Sequence, residues 1–207
     1  MTIVKICGLR SAEAALAAVE AGADLLGFIF APARRQVSPA AVAAIADTVG
    51  AARTASGRTV SLVGVFVDEA PDRMEELARA CRLDALQLSG DEDEAVLRAL
   101  PIDRTVIKAV RFSGAAGEQG WLWTAPSPRL RLLVDAHRPG SYGGVGVIAD
   151  WDQAGHLARR REIILAGGLT PANVAEAVRR VRPWGVDVSS GVEHSILDVR
   201  NVELFPG

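Results

Sequence analysis

Ile3-Val4-Lys5-Ile6-Cys7-Gly8 is a short apolar run, followed by the alanine-rich stretch Ser11–Ala21 and a second apolar run, Leu25–Phe30. Apolar positions three and four apart make the middle segment helical, whereas runs of four to eight residues flanking a helix read as strands. A strand, a helix and a strand in that order form a parallel unit. The unit recurs. Further apolar runs lie at Val60–Phe66, Ala85–Leu88, Val106–Val110, Leu130–Asp135, Ile163–Ala166 and Val186–Ser189, making eight. Helical patterns fall at about 38–49, Asp91–Leu100, Asp150–Arg160 and Thr170–Val181. Ser11 stands in capping position with Glu13 in the first turn, and Ser38-Pro39 sets a cap before a proline at the first helical position. Thr170-Pro171 repeats that device.

Eight repeats in 207 residues point to an α/β chain folded as a closed (β/α)8 TIM barrel, a single domain over residues 1–207, near the small end of that fold's size range. An open doubly wound sheet would carry a glycine-rich turn after its first strand; here only Gly8 follows. Two stretches depart from the repeat. Ser113–Pro128 is rich in Gly, Ser, Pro and Trp, so an irregular fifth helix region is expected, its helix short or missing. The segment after Gly191 is brief, so the C-terminal helix is expected to be shortened.

Hydrophobic residues make up 49% and charged residues 23% of the chain, with a net charge of −2. That balance suits a soluble globule and gives no electrostatic case for nucleic acid or a membrane surface as partner. The amino terminus lacks a basic segment followed by a long apolar stretch. No apolar run approaches the roughly 20 residues of a membrane helix. The two cysteines, Cys7 and Cys81, form no CxxC pair, as expected in a reducing cytoplasm.

Active sites of such barrels lie at the carboxyl ends of the strands. Alternation along the first strand turns Val4 and Ile6 toward the helices and Ile3, Lys5 and Cys7 inward. Cys7 is then the topmost inward residue. It reads either as a small buried core thiol or as a base at the mouth, which would need its thiolate. In the sixth strand Leu133 and Asp135 face inward and Leu132 and Val134 outward. A carboxylate at an inward strand end is costly as plain packing. It reads as a functional acid, with a salt bridge to an arginine such as Arg111 as the structural alternative. Lys5 lies one layer below Cys7. Asp187 lies on the last strand, which neighbours the first in a closed barrel, so the two are expected to pair inside it.

Glycine-rich turns follow the sixth, seventh and eighth strands: Gly143-Gly144-Val145-Gly146, Gly167-Gly168 and Ser189-Ser190-Gly191. Backbone N–H groups in the last two turns suit a phosphate dianion, and the first has the character of a mobile lid. Arg34 and Arg35 follow the second strand, where guanidinium groups suit a carboxylate or phosphate. His137, His156 and His194 are scattered without metal-ligand spacing, and no Walker loop or Ser/His/Asp elbow is present. The four tryptophans, Trp121, Trp123, Trp151 and Trp184, read as packing or surface contacts.

Lys5-Ile6-Cys7-Gly8, Gly27-Phe28-Ile29-Phe30, Val37-Ser38-Pro39, Val63-Gly64-Val65-Phe66, Gln87-Leu88, Ile107-Lys108-Ala109-Val110-Arg111, Leu133-Val134-Asp135-Ala136, Asp150-Trp151, Leu165-Ala166-Gly167-Gly168-Leu169 and Gly185–Glu193, in that order, resemble phosphoribosylanthranilate isomerase, a barrel enzyme of tryptophan biosynthesis. The resemblance runs along nearly the whole chain to Glu193. It implies an Amadori rearrangement of N-(5-phosphoribosyl)anthranilate, a small-molecule phosphoribosyl substrate, to the 1-deoxyribulose isomer, with no cofactor and no metal. It implies Cys7 as the base that takes the C2 proton of the opened sugar, and Asp135 as the acid that protonates the furanose ring oxygen. It implies Arg35 at the anthranilate carboxylate, with Gln87 and Asp187 also binding substrate. Gly167, Gly168, Ser190 and Gly191 match phosphate-binding positions, and Gly144 is expected to bind substrate. One acid and one base suffice for an aldose–ketose isomerisation.

Departures from the family's pattern fall in the loops. Ser89 stands where Gln-Leu-His-Gly has its histidine. Gly143-Gly144-Val145-Gly146-Val147 replaces Gly-Gly-Thr-Gly-Lys. The arginine loop Pro32-Ala33-Arg34-Arg35 is one residue short. Two other readings remain. One is a related phosphoribosyl-substrate isomerase, whose family resembles a barrel with Asp at the first strand end, where this chain has Cys7. The other is a non-catalytic phospho-ligand binder on the same scaffold. A monomer or weak homodimer is expected.

Overall fold

The computed structural model describes residues 2–50, 52–54, 57–136 and 148–192. Eight parallel strands, β1 (Ile3–Cys7), β2 (Leu25–Ile29), β3 (Ser61–Phe66), β4 (Ala85–Leu88), β5 (Thr105–Val110), β6 (Leu130–Val134), β7 (Ile163–Leu165) and β8 (Gly185–Val188), close into a barrel in sequence order. Closure is made by β1 and β8 in the register Ile3↔Gly185 and Lys5↔Asp187. Among the described residues seven helices wrap it: α1 (Ala12–Glu20), α2 (Pro39–Val49), α3 (Pro71–Ala80), α4 (Val96–Ala99), α5 (Ala116–Trp123), α6 (Trp151–Ala158) and α7 (Val174–Val181). A short 3-10 helix, Ser190–Val192, follows β8.

The period of two along each strand splits the core into two layers. Val4, Ile6, Leu26, Phe28, Leu86, Leu88, Leu132 and Val134 pack outward against the helices. Val63, Ala85, Ile107, Ala109, Leu133, Ile164 and Ala166 fill the barrel. The expected facing of β1 and β6 is thus observed. At the amino-terminal end two carboxylates close the strand starts. Asp24 accepts a hydrogen bond from the Val4 N–H at 2.9 Å, and Asp84 accepts one from the Leu62 N–H at 2.7 Å.

The Ser11 and Ser38 side chains cap α1 and α2 as the sequence predicts, accepting from Ala14 N–H and Ala41 N–H. Three helical expectations need correction. First, α3 was not among the expected helices, although Pro71 opens it and Met74, Leu77 and Ala78 give it a buried face. Second, the Asp91–Leu100 helix shrinks to Val96–Ala99. Asp68 accepts from the Asp91 N–H, while Glu92 accepts from the Asp68 N–H and from Lys108. Such side-chain bonds compete with the helical ladder. Third, Thr170 does not cap a helix: its N–H donates to the Asn173 carboxamide oxygen, and α7 begins only at Val174. The fifth helix, expected to be short or missing, is present with eight residues. Glu118 holds its entry loop by accepting from the backbone N–H groups of Arg111 and Ser113 and from the Ser113 hydroxyl. The shortened C-terminal helix expected after Gly191 lies, from residue 193 onward, outside the described residues.

Candidate active site

At the carboxyl ends of the strands the inward positions gather ionisable groups. Cys7 ends β1 as its topmost inward residue and is buried. Its carbonyl accepts the Ser189 hydroxyl at 3.0 Å and the Arg35 guanidinium at 3.4 Å. The end of β1 is thereby tied to the segment after β8 and to the loop after β2. Arg35 lies against Gly8, where a Cβ would stand 2.6 Å from its Nη1. Arg35 thus reaches over the mouth, while Arg34 beside it is exposed.

One layer down, Lys5 is fully buried and pairs with Asp187 at 2.9 Å. This is the ion pair expected from strand parity and closure. Asp187 Oδ1 and Gln87 Oε1 are buried acceptors without a hydrogen-bond partner among the described residues. Gln87 donates to the Ser89 hydroxyl at 3.1 Å, and Arg111 donates to the Ser89 carbonyl at 2.8 Å.

Asp135 follows β6, its N–H bonded to the Val110 carbonyl. Burial pushes its carboxyl above the usual carboxylate range, against the Ala136 N–H and the Arg111 guanidinium, which favour the anion. Both forces are physically coherent: desolvation disfavours charge, and a cation restores it. Burial likewise raises the Cys7 thiol, opposed chiefly by Lys5 and more weakly by Arg35, while Asp187 adds to the rise. Arg111 is therefore both a tie to β4 and an electrostatic neighbour of Asp135. Its place at the inward end of β5, next to β6, was the signal available in the sequence.

After β7, Gly167 and Gly168 adopt φ of 77° and 62°, the left-handed region that a side chain disfavours. The Asn173 carboxamide donates to the Gly168 carbonyl at 2.9 Å. A Cβ on Gly191 would run into the Leu169 carbonyl oxygen, so the turns after β7 and β8 meet through Gly191. Ser190 is exposed beside it. Gly144, and with it the expected lid Gly143–Gly146, lies outside the described residues. Among the described residues no group of three or more His, Cys, Asp or Glu is placed to hold a metal ion.

The chain matches the family model described as N-(5'phosphoribosyl)anthranilate (PRA) isomerase over residues 4–205. The N-(5'-phosphoribosyl)anthranilate isomerase of Roseiflexus sp. is 54% identical over 206 residues, covering 99% of this chain and 96% of the relative. Monomers of the dimeric phosphoribosylanthranilate isomerase from Thermotoga maritima align with a TM-score of 0.76 and 35% identity, over 93% of this chain and 89% of that one. A phosphoribosylanthranilate isomerase in complex with reduced 1-(O-carboxyphenylamino)-1-deoxyribulose 5-phosphate aligns with a TM-score of 0.76 and 36% identity, again over 93% and 89%. Fold and relatives together define a (β/α)8-barrel isomerase. The chain belongs to the N-(5'-phosphoribosyl)anthranilate isomerase family, whose reaction is a step of tryptophan biosynthesis.

Proposed function

We propose that Asp135 and Cys7 carry out the family's Amadori rearrangement in this chain as acid and base. Asp135 delivers its proton to the furanose ring oxygen as the C1–O bond breaks, giving an opened Schiff base. Cys7, as thiolate, removes the C2 proton, and the electrons of that bond form the enolamine that tautomerises to the ketone. The observation that carries this reading is the placement of thiol and carboxyl at inward strand ends of one mouth, under the influence of one Lys5–Asp187 pair.

Arg35 holds the anthranilate carboxylate. The unpartnered oxygens of Asp187 and Gln87 accept from the substrate's N–H and hydroxyl groups, since a buried acceptor left empty is costly. Gly167, Gly168, Ser190 and Gly191 receive the phosphate, and Gly144 is a further substrate-binding residue. The unit acts as one domain in the cytoplasm, as a monomer or weak homodimer. Among the described residues no helix is long and apolar enough to cross a membrane.

The test is to generate phosphoribosylanthranilate in situ and follow the decay of its anthranilate fluorescence. Cys7→Ser and Asp135→Asn should each lower kcat/KM by roughly 10²–10⁴-fold, the range for a lost general acid or base, with unchanged circular dichroism. Wild-type turnover that survives both substitutions rejects the assignment.

A further inference from the structure

Lys5 is fully buried in the barrel interior, and a buried ion pair is by itself weak support for a fold, since apolar replacement is often neutral. Among the described residues its hydrogen-bond partner is Asp187, whereas an ammonium has three donors. The remaining donors stand beside Cys7. In register, Cys7 is opposite Gly27 on β2. A Cβ on Gly27 would stand 2.8 Å from Cys7 Sγ and 3.1 Å from Lys5 Nζ. Gly27 thus leaves a notch through which the long Lys5 side chain rises from its own layer to that of the thiol.

We propose that Lys5 is a positioning residue for the reaction: its ammonium, anchored by Asp187 and set through the Gly27 notch against Cys7, is the counter-ion of the Cys7 thiolate. The assignment rests on the reading of Cys7 as base. The charged groups facing Cys7 are Lys5 on its own strand, Asp187 from β8 and Arg35 from the loop after β2; β2 itself contributes Gly27. Lys5 favours the thiolate and Asp187 opposes it, so the pair acts as a balance. Removing the lysine and removing the aspartate shift the thiol in opposite directions, which a merely structural ion pair would not do.

The test is the pH titration of the Cys7 thiolate, read as ultraviolet absorbance with the Cys7→Ser protein subtracted as background. Lys5→Met should titrate at higher pH than wild type and Asp187→Asn at lower pH. If Lys5→Met fails to fold because Asp187 is left uncompensated, Lys5→Met/Asp187→Asn removes both charges. It should still titrate above wild type, because Lys5 outweighs Asp187 at the thiol. In Lys5→Met, or in Lys5→Gln as a polar control, plateau kcat/KM should fall about tenfold per unit by which the gap between the Asp135 and Cys7 midpoints widens. Superimposable titrations in wild type and the double variant overturn the assignment of Lys5. A thiol that shifts while the pH–rate profile does not move leaves the counter-ion intact and overturns Cys7 as base.

Discussion

The acid and the base proposed at the mouth ionise in an unfavourable order. On the proposed assignment Asp135 acts protonated and Cys7 acts as thiolate, and burial raises both groups, while a carboxyl ordinarily ionises well below a thiol. Between the two midpoints the active pair is a minority at constant fraction, set by the gap between them. Activity should therefore be flat across that interval. It should fall about tenfold per pH unit below the Asp135 midpoint and above the Cys7 midpoint. A kcat/KM profile should show the acid limb above the usual carboxylate range; a limb at an ordinary carboxylate value counts against burial of Asp135. Burial of the carboxyl narrows the gap, and Lys5 narrows it because it lowers the Cys7 thiol, which it contacts, more than the Asp135 carboxyl.

Among the elements, α3 shows how a helix is fixed to the barrel at the end opposite the candidate site. Its Glu75 is bonded to Arg104 at 2.9 and 3.2 Å and to Arg79 at 3.1 Å, and Arg104 donates onward to the Leu83 carbonyl. This clamp fixes α3 against the residues that lead into β4 and β5. The Arg104 hydrogen bonds hold the Glu75 carboxyl below its usual range. A depressed folded value means stabilisation that is present above the unfolded midpoint and lost as pH falls through the folded one. Glu75→Gln should cost about 1–3 kcal/mol at neutral pH, and the difference should vanish in acid. Urea unfolding of both proteins at the two pH values measures it; a difference that persists in acid places the effect in packing. The sequence carried a signal for α3, with Pro71 first, Asp72 in the first turn and Met74, Leu77 and Ala78 on one face. Its charged residues obscured that apolar stripe.

For the whole molecule, closure of β8 on β1 is what creates the site. It brings Ser189 and Asp187 to Cys7 and Lys5 across 182 positions of chain. Apolar layers pack on both sides of the sheet. Among the described residues the exposed large apolar side chains are Leu16 on α1, Trp123 on α5, Ile102 before β5 and Ile148 before α6. Sedimentation at micromolar concentration should accordingly give the 21.8 kDa of one chain, with mass rising only at higher concentration. A dimer that persists on dilution rejects that expectation.

The sequence by itself determined the number of strands, their parallel order and the inward facing of Lys5, Cys7, Asp135 and Asp187. Each follows from local alternation and from the helix between strands. It also placed the glycine turns that follow β7 and β8. Tertiary structure decided the rest. Side-chain hydrogen bonds shortened α4 and delayed the start of α7, and Glu118 secured α5. The fit of Lys5 beneath Cys7 depends on Gly27 standing opposite the thiol, and the ionisation of Asp135 depends on how much water the closed barrel excludes. Those are properties of register and burial between distant strands, and no stretch of the chain holds them alone.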